Sequence, residues 1–448
     1  MASAAEQLAA SLNFGAFAKA EELKKRLWFT LGALIVYRLG TYIPLPGIDP
    51  HVLSEMFQQG STGILGMFDV LAGGALSRMT IFALTIMPYI SASIIIQLGT
   101  ALSPKLEALK KEGPTGRKVL NQYTRYFTVI LAIAQAYGVA VGLEAASGSR
   151  GALVLDPGLF FRVTTVLTLT GGTLFLMWLG EQIQQRGIGN GISLIIMAGI
   201  VAELPRALVG TLELGRTGAL STIFILFLLV MVVAVIAFVV FMERAQRRLL
   251  VQYPKRQHGN RVFGGEASHL PLKINAAGVI PPIFASSLLL MPTTFAQFSG
   301  GQNMPDWLVW ISTALGHGRP AYVILYMALI IFFAFFYTSI QFNPVETADN
   351  LKKNGGFIPG IRPGQRTAEY IDYVLTRLTV IGSLYLCVVC LLPEILISQY
   401  SVPFYFGGTS ILIIVSVTMD TVAQIQSHLI AHQYEGLIKK ARLKGSRK

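Results

Sequence analysis

Charged side chains are unusually scarce in this sequence. Asp, Glu, Lys and Arg make up 13% of its 448 residues, whereas a soluble domain averages about 25%. Hydrophobic residues make up 53% of the chain. This composition excludes an ordinary soluble domain and predicts an integral membrane protein.

Cysteine is nearly absent as well. Cys387 and Cys390 lie in the apolar run YLCVVCLL. A CxxC pair can carry redox chemistry, but no polar neighbour here would stabilise a thiolate, so buried thiols are the better interpretation. The N-terminal segment also lacks the apolar core and cleavage site of a signal peptide, so we expect the first membrane span to direct insertion.

Motifs for catalysis and cofactor binding are lacking too. The chain has no GxxxxGK[ST] sequence, and its glycine-rich run GIGNGIS follows no strand and precedes no phosphate-binding lysine. His428 and His432 have the spacing of paired metal ligands, but no acidic third ligand accompanies them. We therefore expect no catalytic residue, no cofactor and no metal, and predict that the protein is not an enzyme.

What the sequence does contain is a series of long apolar segments. Each is about 20 residues long, enough to cross a hydrocarbon core of about 30 Å as a helix. Ten such spans are centred near residues 23-42, 77-100, 123-143, 163-182, 191-209, 219-242, 274-292, 321-342, 370-392 and 404-426.

Basic residues alternate in abundance between the segments that join these spans. Of the 36 Lys and Arg, 28 fall on the side that holds both termini, 7 fall on the other side and Arg377 lies within a span. The positive-inside rule then places both termini in the cytoplasm. The formal net charge of +13 could suggest nucleic-acid binding, but membrane topology already explains it. The basic cytoplasmic face favours partners that are acidic or carry RNA phosphate.

Several spans carry signs of interruption. Pro88 lies within the second predicted span and Pro281-Pro282 within the seventh, so we expect kinks there, which serve either packing or function. The piece before Gly73-Gly74 is too short to span, which is typical of a re-entrant half-helix beside a cavity. Ten spans also divide into two oppositely oriented sets of five, as in inverted repeats.

The two longest predicted cytoplasmic loops are 243-273 and 344-369. The first contains LLVQY and NRVF, which favour short strands or a hairpin. Long connectors that project basic groups are more often docking surfaces than disordered segments.

Ile86 and Ile90 near Pro88 are four residues apart and face one side of a helix, and Ile192 and Ile196 repeat this spacing at the start of the fifth predicted span. Ile283 follows the double proline, and Ile413 lies in the tenth span. A collar of such side chains would exclude water and ions without selecting a solute. From spacing alone, ordinary apolar packing is the better interpretation. The residues concerned are Ile86, Ile90, Ile192, Ile196, Ile283 and Ile413.

Longer motifs then become informative. They include GALIVYRLGTYIPLPGID, GGALSRMTIFALTIMPYISASIIIQ, GEQIQQRGIGNGISLII, LPLKINAAGVIPPIFASS, NPVETADNLKKNGGFIPGIRPGQRTAEYI and FYFGGTSILIIV. Over nearly its full length the chain resembles the SecY family, the channel-forming subunits of the bacterial Sec protein translocon.

The resemblance implies a fold and an activity. The fold is that of an all-α polytopic membrane protein, with ten transmembrane helices in two pseudo-symmetric five-helix halves and a re-entrant plug helix. The activity is passage of unfolded preproteins across the membrane and release of transmembrane segments sideways into lipid. A lateral gate would open between the second and third helices on one side and the seventh and eighth on the other.

The resemblance also implies site residues and partners. The six isoleucines would form the pore ring, which reverses the interpretation from spacing. Residues 64-78 would form the plug, and basic residues of the two long loops would dock SecA or the ribosome. The implied plug residues are Ile64, Leu65, Gly66, Met67, Phe68, Asp69, Gly73 and Gly74, and the implied docking residues are Arg362, Lys255 and Arg256. Expected partners are SecE, SecG, the SecA ATPase, the ribosome, signal peptides, nascent or preprotein chains, and membrane lipid.

The expected organisation follows from these assignments. The chain would lie in the bacterial plasma (inner) membrane. Its parts would be a cytoplasmic N-terminal segment (1-22), an N-terminal half (23-210), a C-terminal half (211-426) and a cytoplasmic tail (427-448).

Three alternatives remain at this point. A secondary transporter would need a polar or ionic substrate site at mid-membrane, and the sequence shows none. An intramembrane enzyme would need a catalytic set of residues at that depth. A plastid homologue would carry a transit peptide, and none precedes the first span.

Overall fold

The structure is a computed structural model of the chain. It describes residues 21-53, 69, 72-145, 147-148, 151-218, 221-253, 256-258, 261-263, 267-298, 319-400 and 408-445. Over these residues the chain is mainly helical. The helices are α1 (Glu21–Gly40), α2 (Met87–Leu102), α3 (Pro104–Lys111), α4 (Pro114–Ala145), α5 (Leu159–Arg186), α6 (Gly191–Arg216), α7 (Thr222–Arg244), α8 (Ile280–Phe298), α9 (Pro320–Gln341), α10 (Pro344–Lys353), α11 (Gln365–Tyr400) and α12 (Gly408–Gly445).

Among the described residues, six short strands form three antiparallel pairs. Strand β1 (Ser147–Gly148) pairs with β2 (Gly151–Ala152). In the predicted cytoplasmic loop 243-273, β3 (Gln246–Gln252) pairs with β6 (Ala267–Lys273), and β4 (Arg256–His258) pairs with β5 (Arg261–Phe263). Residues 249-252 of LLVQY and 261-263 of NRVF therefore lie in strands, as the sequence predicts.

Every predicted span overlaps a helix. Seven helical segments among the described residues are long and apolar enough to cross a membrane, and they lie on α4, α5, α6, α7, α9, α11 and α12. The described apolar parts of α2 and α8 are shorter, and α1 carries charges at both ends. The structure therefore has the helices for a multi-pass membrane protein, and the count of ten membrane crossings stays a prediction.

The proline kinks predicted at Pro88 and Pro281-Pro282 are wrong. Helix α2 begins at Met87, and Pro88 lies in its first turn. Helix α8 begins at Ile280, so Pro281 and Pro282 also lie in its first turn. Proline suits this position because its missing N–H would have no partner inside the helix anyway. Residues 73-86, predicted as mostly the start of the second span, form turns instead.

The chain divides into two compact units. The first comprises Met1–Ala207, Thr294–Asp306 and Ile413–Lys448, and the second comprises Leu208–Thr293 and Trp307–Leu412.

In the first unit, α4 packs against α2 and α5, and α1 packs against α5. The turn segment 73-86 is held against these helices by Phe82. Its ring stacks on Tyr37 of α1 at 6.1 Å and on Phe175 of α5 at 5.9 Å between ring centroids. The approach depends on Gly40, because a β-carbon there would overlap the Phe82 ring. The segment therefore fits between helices with little room to spare.

In the second unit, α11 packs against α7, α9 and α10. An apolar core joins the N-terminal part of α11 to strands β3 and β6. Its buried members are Leu249, Val251, Leu272, Ile358, Ile371, Val374 and Leu378. The two long loops thus share one core with a membrane helix.

Candidate channel site

The six isoleucines predicted to form a ring are distributed over both units and differ in burial. Ile86, Ile90, Ile192, Ile196 and Ile413 belong to the first unit, and Ile283 belongs to the second. Ile86 immediately precedes α2 and Ile90 lies in its first turn. These two residues and Ile413 are buried, each at most 7% exposed. The other three are half-buried. The described contacts do not join all six, so their arrangement as one ring stays a prediction.

A tight turn positions Ile192 and Ile196 at the start of α6. The α5 and α6 backbones meet so closely that a β-carbon on Gly191 would overlap the carbonyl oxygen of Gly180. A β-carbon on Gly180 would lie 3.1 Å from Cγ1 of Ile192. Gly191 of the run GIGNGIS therefore allows the close approach of α5 and α6 at this turn between two predicted spans.

The same region contacts α12, the helix that carries Ile413. The hydroxyl of Thr418 lies 3.6 Å from Sδ of Met197, the neighbour of Ile196. In the turn before α6, the Gly189 N–H donates to Oε1 of Gln424 at 2.8 Å. Within the first unit, α6 and α12 are thus fastened to each other near these isoleucines.

Part of the predicted plug, Ile64 to Phe68, lies outside the described residues. Asp69, Gly73 and Gly74 are described. The Asp69 carboxylate accepts a hydrogen bond from the Ser77 N–H at 2.7 Å, and its carbonyl accepts one from the Gly74 N–H at 2.8 Å. These bonds close the end of the segment into a compact turn. Gly73 and Gly74 have φ of 63° and 76°, a region that favours glycine.

An ion cluster lies next to this turn. Glu203 of α6 has a side chain that is only 11% exposed, and its Oε1 lies 3.4 Å from Nη2 of Arg78 and 3.8 Å from Nη2 of Arg38. Arg38 also donates from Nη1 to the Gly73 carbonyl at 2.6 Å. Both guanidinium groups lie over the ring of Tyr42, Arg78 at 4.3 Å and Arg38 at 5.3 Å from its centroid. The cluster thus connects α1, α6 and the end of the plug segment.

The two predicted docking loops are joined through their backbones. Gln252 at the end of β3 and Phe357 exchange both N–H···O hydrogen bonds, each 2.9 Å long. The ring of Tyr253 packs over Gly356, where a β-carbon would lie 2.9 Å from it. The loops 243-273 and 344-369 therefore form one surface in the second unit.

The docking residues fall on this surface to different extents. Arg362 is exposed in a turn between Gly360 and Gly364, and its carbonyl accepts a hydrogen bond from the Thr367 hydroxyl at 3.0 Å. Arg256 lies on β4, paired with Phe263, and Lys255 lies outside the described residues. The face of the β3–β6 pair opposite to the core adds Arg248 and Lys273, which are exposed.

Two groups of residues escaped the sequence reasoning. One is Glu203. The sequence feature that could have revealed it is an acidic residue inside the apolar fifth span, followed three residues later by Arg206. The other is Glu243 at the end of α7, which accepts from Nδ2 of the buried Asn275 at 2.7 Å. Asn275 also donates to the Gly278 carbonyl at 3.0 Å, which fixes the chain just before α8.

Comparison with known proteins decides the family. The SecY family profile matches residues 80–422 of the chain. The protein translocase subunit SecY of Escherichia coli strain K12 is 57% identical over 424 residues, which covers 95% of this chain and 96% of the relative. The corresponding subunit of Rickettsia conorii is 56% identical over 423 residues, which covers 94% of this chain and 97% of the relative. The chain belongs to the SecY family.

Solved structures support the fold. A protein-conducting channel superposes with a TM-score of 0.67 at 18% identity, covering 91% of this chain and 92% of that one. Sec61 from a canine ribosome–channel complex of the endoplasmic reticulum superposes with a TM-score of 0.64 at 17% identity, with the same coverage. The predicted fold class of a helical, multi-pass SecY channel is thus confirmed, and membership of the SecY family decides against the transporter and the intramembrane enzyme.

Proposed function

We propose that this chain is the central, protein-conducting subunit of a Sec translocon, which passes unfolded preproteins across the membrane and releases transmembrane segments into lipid. The observation that carries the proposal is the 57% identity to a SecY translocase subunit over almost the entire length of both chains. The subunit is a channel and not an enzyme, because "translocase" names the transport of a chain and not a chemical reaction.

The predicted ring suits this function on physical grounds. A channel for arbitrary polypeptides cannot rely on specific polar contacts with its cargo. Branched apolar side chains exclude water and ions, yet they contain no fixed hydrogen-bond donor that would select one solute. We propose that the six isoleucines form this constriction, with residues 64-78 as the plug that closes it. A solved SecY structure described as having a plug domain that stabilises the closed channel supports the assignment, at 18% identity and a TM-score of 0.60.

We also propose the partners of the channel. SecE and SecG would be its companion subunits, and the SecA ATPase and the ribosome would bind the surface formed by the two long loops. Three features of this surface support docking: its shared apolar core, the exposed Arg362 and the basic face of β3 and β6. The ribosome-bound Sec61 structure supports the same class of partner. Signal peptides and preprotein chains would be the cargo.

The proposed location is the bacterial inner membrane, with both termini in the cytoplasm. The uneven distribution of 28 against 7 basic residues supports this orientation. The bacterial origin of the relatives from Escherichia coli and Rickettsia conorii supports the choice of membrane.

The deciding experiment is reconstitution. The chain would be purified with SecE and SecG, placed in liposomes of bacterial lipid and supplied with SecA, ATP and a radiolabelled preprotein. We expect the preprotein to become protected from added protease, only when ATP and this chain are both present. Liposomes with SecE and SecG alone are the control. Protection that does not depend on this chain would refute the proposed function.

A further inference from the structure

Glu203 is an acidic residue whose side chain is largely withdrawn from water. Its side chain is 11% exposed on α6, in a helix whose other residues near this point are mostly apolar. Withdrawing a carboxylate from water is costly unless cations and hydrogen bonds compensate for the lost hydration. Arg78 and Arg38 supply that compensation, at 3.4 and 3.8 Å from the same oxygen. Arg206 lies 4.0 Å from the other oxygen but is largely exposed.

The end of the plug segment packs directly on the same helix. A β-carbon on Gly73 would lie 2.8 Å from the Cα of Gly199, and one on Gly74 would lie 2.6 Å from Oε1 of Glu203. Residues 199 and 203 are one helical turn apart, so they share a face of α6. The pair Gly73-Gly74 is therefore packed against α6.

The cluster also constrains the backbone of the segment on both sides of this pair. Arg38 holds the Gly73 carbonyl, and Arg78 itself belongs to the segment and lies beside Gly74. Asp69 is tied to Gly74 and Ser77 by hydrogen bonds. Displacement of the plug at Asp69 would therefore pull on a turn that Glu203 fixes through two arginines.

We propose that Glu203 is a positioning residue for channel closure: it anchors the end of the plug segment to α6 through Arg78 and Arg38. This inference rests on the proposed function, because it assigns Glu203 a role in the opening and closing of the channel. Glu203 belongs to none of the predicted sites, which are the ring, the plug and the docking surface. Plug release then requires the two guanidinium groups to leave a carboxylate that is nearly buried. Weakening the anchor shifts the resting channel toward the unplugged state.

The test uses the full complex with SecE and SecG in liposomes and a thiol as reporter. Cys387 and Cys390 are replaced by Ala, and the buried Leu76 is replaced by Cys. The rate at which a membrane-impermeant maleimide labels position 76 then reports release of the segment. Ion leak is measured on the same liposomes.

We expect Glu203→Gln to label about ten times faster than its parent, a shift of about 1.4 kcal/mol in the closing equilibrium, and to leak more ions. The matched control is Glu213→Gln, the same change on the same helix at an exposed acid that pairs with Arg216. It should label and leak like the parent. A labelling rate for Glu203→Gln equal to that of the parent overturns the anchor.

Arg78→Gln gives a second arm in case Glu203→Gln does not assemble. Both single variants should label faster, and the double variant should label no faster than the faster single one, because both remove the same contact. Multiplied effects would mean that the two residues act independently, which also overturns the anchor. Arg78→Lys keeps the positive charge, so this variant should label at a rate close to that of the parent. If Arg78 only filled space, Arg78→Lys and Arg78→Gln would label at similar rates.

Failure of the anchor and failure of the proposed function give different results. If the parent protein moves the preprotein but Glu203→Gln labels at the parental rate, the channel function stands and the anchor is wrong. If the parent protein does not move the preprotein, the proposed function fails whatever the labelling rates are.

Discussion

Gln252 and Phe357 exchange two backbone hydrogen bonds of 2.9 Å and so join two loops that are about one hundred residues apart in sequence. Apart from proline, which lacks a backbone N–H, no substitution removes these bonds directly. The apolar core beneath them is therefore the feature through which mutation can test how the proposed docking surface is held together.

The first prediction concerns this core. Leu249→Ala removes a side chain that is 5% exposed between β3 and α11. Such a truncation costs about 2–5 kcal/mol, so we expect the loops to loosen and to be cut faster by protease in the purified complex. Leu250→Ala, the next residue on the same strand, changes a side chain that is 39% exposed and is the control. Equal cleavage of the two variants would contradict a shared core.

The second prediction concerns docking. Arg362→Glu reverses an exposed charge on the surface of the two loops, and we expect preprotein transport driven by SecA to slow by roughly tenfold or more, since arginine is often a binding hot spot. The initial rate of protease protection is the measurement. Arg216→Glu makes the same reversal at an exposed residue on the predicted opposite side and should have no effect on this rate. Unchanged transport by Arg362→Glu would remove this residue from the docking site.

The third prediction concerns the ring. Replacing Ile192 and Ile196 by Gly removes half-buried apolar side chains and should raise ion conductance through the resting channel, because a wider apolar constriction fills with water. Single-channel recording in planar bilayers is the measurement. Val201→Gly on the same helix, at a residue 40% exposed, controls for the lower helix propensity of glycine. Parental conductance in the double variant would remove these two residues from the ring.

The fourth prediction compares two neighbouring glycines of α5. A β-carbon on Gly172 would overlap the Ile81 carbonyl oxygen, so Gly172→Ala should destabilise the protein by about 1–3 kcal/mol and lower its thermal midpoint in detergent. Gly171 has no atom within 4 Å of the corresponding position. Gly171→Ala should leave the midpoint unchanged or raise it slightly, because alanine favours the helix. The reverse order would mean that segment 73-86 does not pack on α5.

Much of the fold could be predicted from the sequence, because long apolar runs fix where helices can form. All ten predicted spans contain helix, and strands β3 and β5 lie within the pieces LLVQY and NRVF and their flanks, where the sequence predicts strands. The errors arose where tertiary contacts override a local pattern. The run after Gly74 looks like the start of a membrane helix, but Phe82 lies between Tyr37 and Phe175, and the helix begins only at Met87.

The site was less predictable than the fold. The ring, plug and docking residues came from the family resemblance and not from spacing, which favoured ordinary packing for the isoleucines. The sequence shows Glu203 and Arg78 as single charges 125 positions apart. Their pairing depends on how the segment before α2 turns back onto α6, and no periodic pattern encodes that turn.

The late start of α2 has a consequence for how the protein can assemble. Residues 73-86 lie in turns and not in a helix, with two of them, Met79 and Thr85, in left-handed conformations that are strained for side chains other than glycine. Lipid acyl chains cannot form hydrogen bonds with the backbone N–H and C=O groups of such a stretch. Its partners are the strand-like residues Ile43 and Leu45, which bond Ile81 and Met79 at 3.1 and 2.9 Å. During biogenesis, residues 73-86 can therefore move out of water and into the membrane only after α1 and residues 41-45 are in place to form these hydrogen bonds.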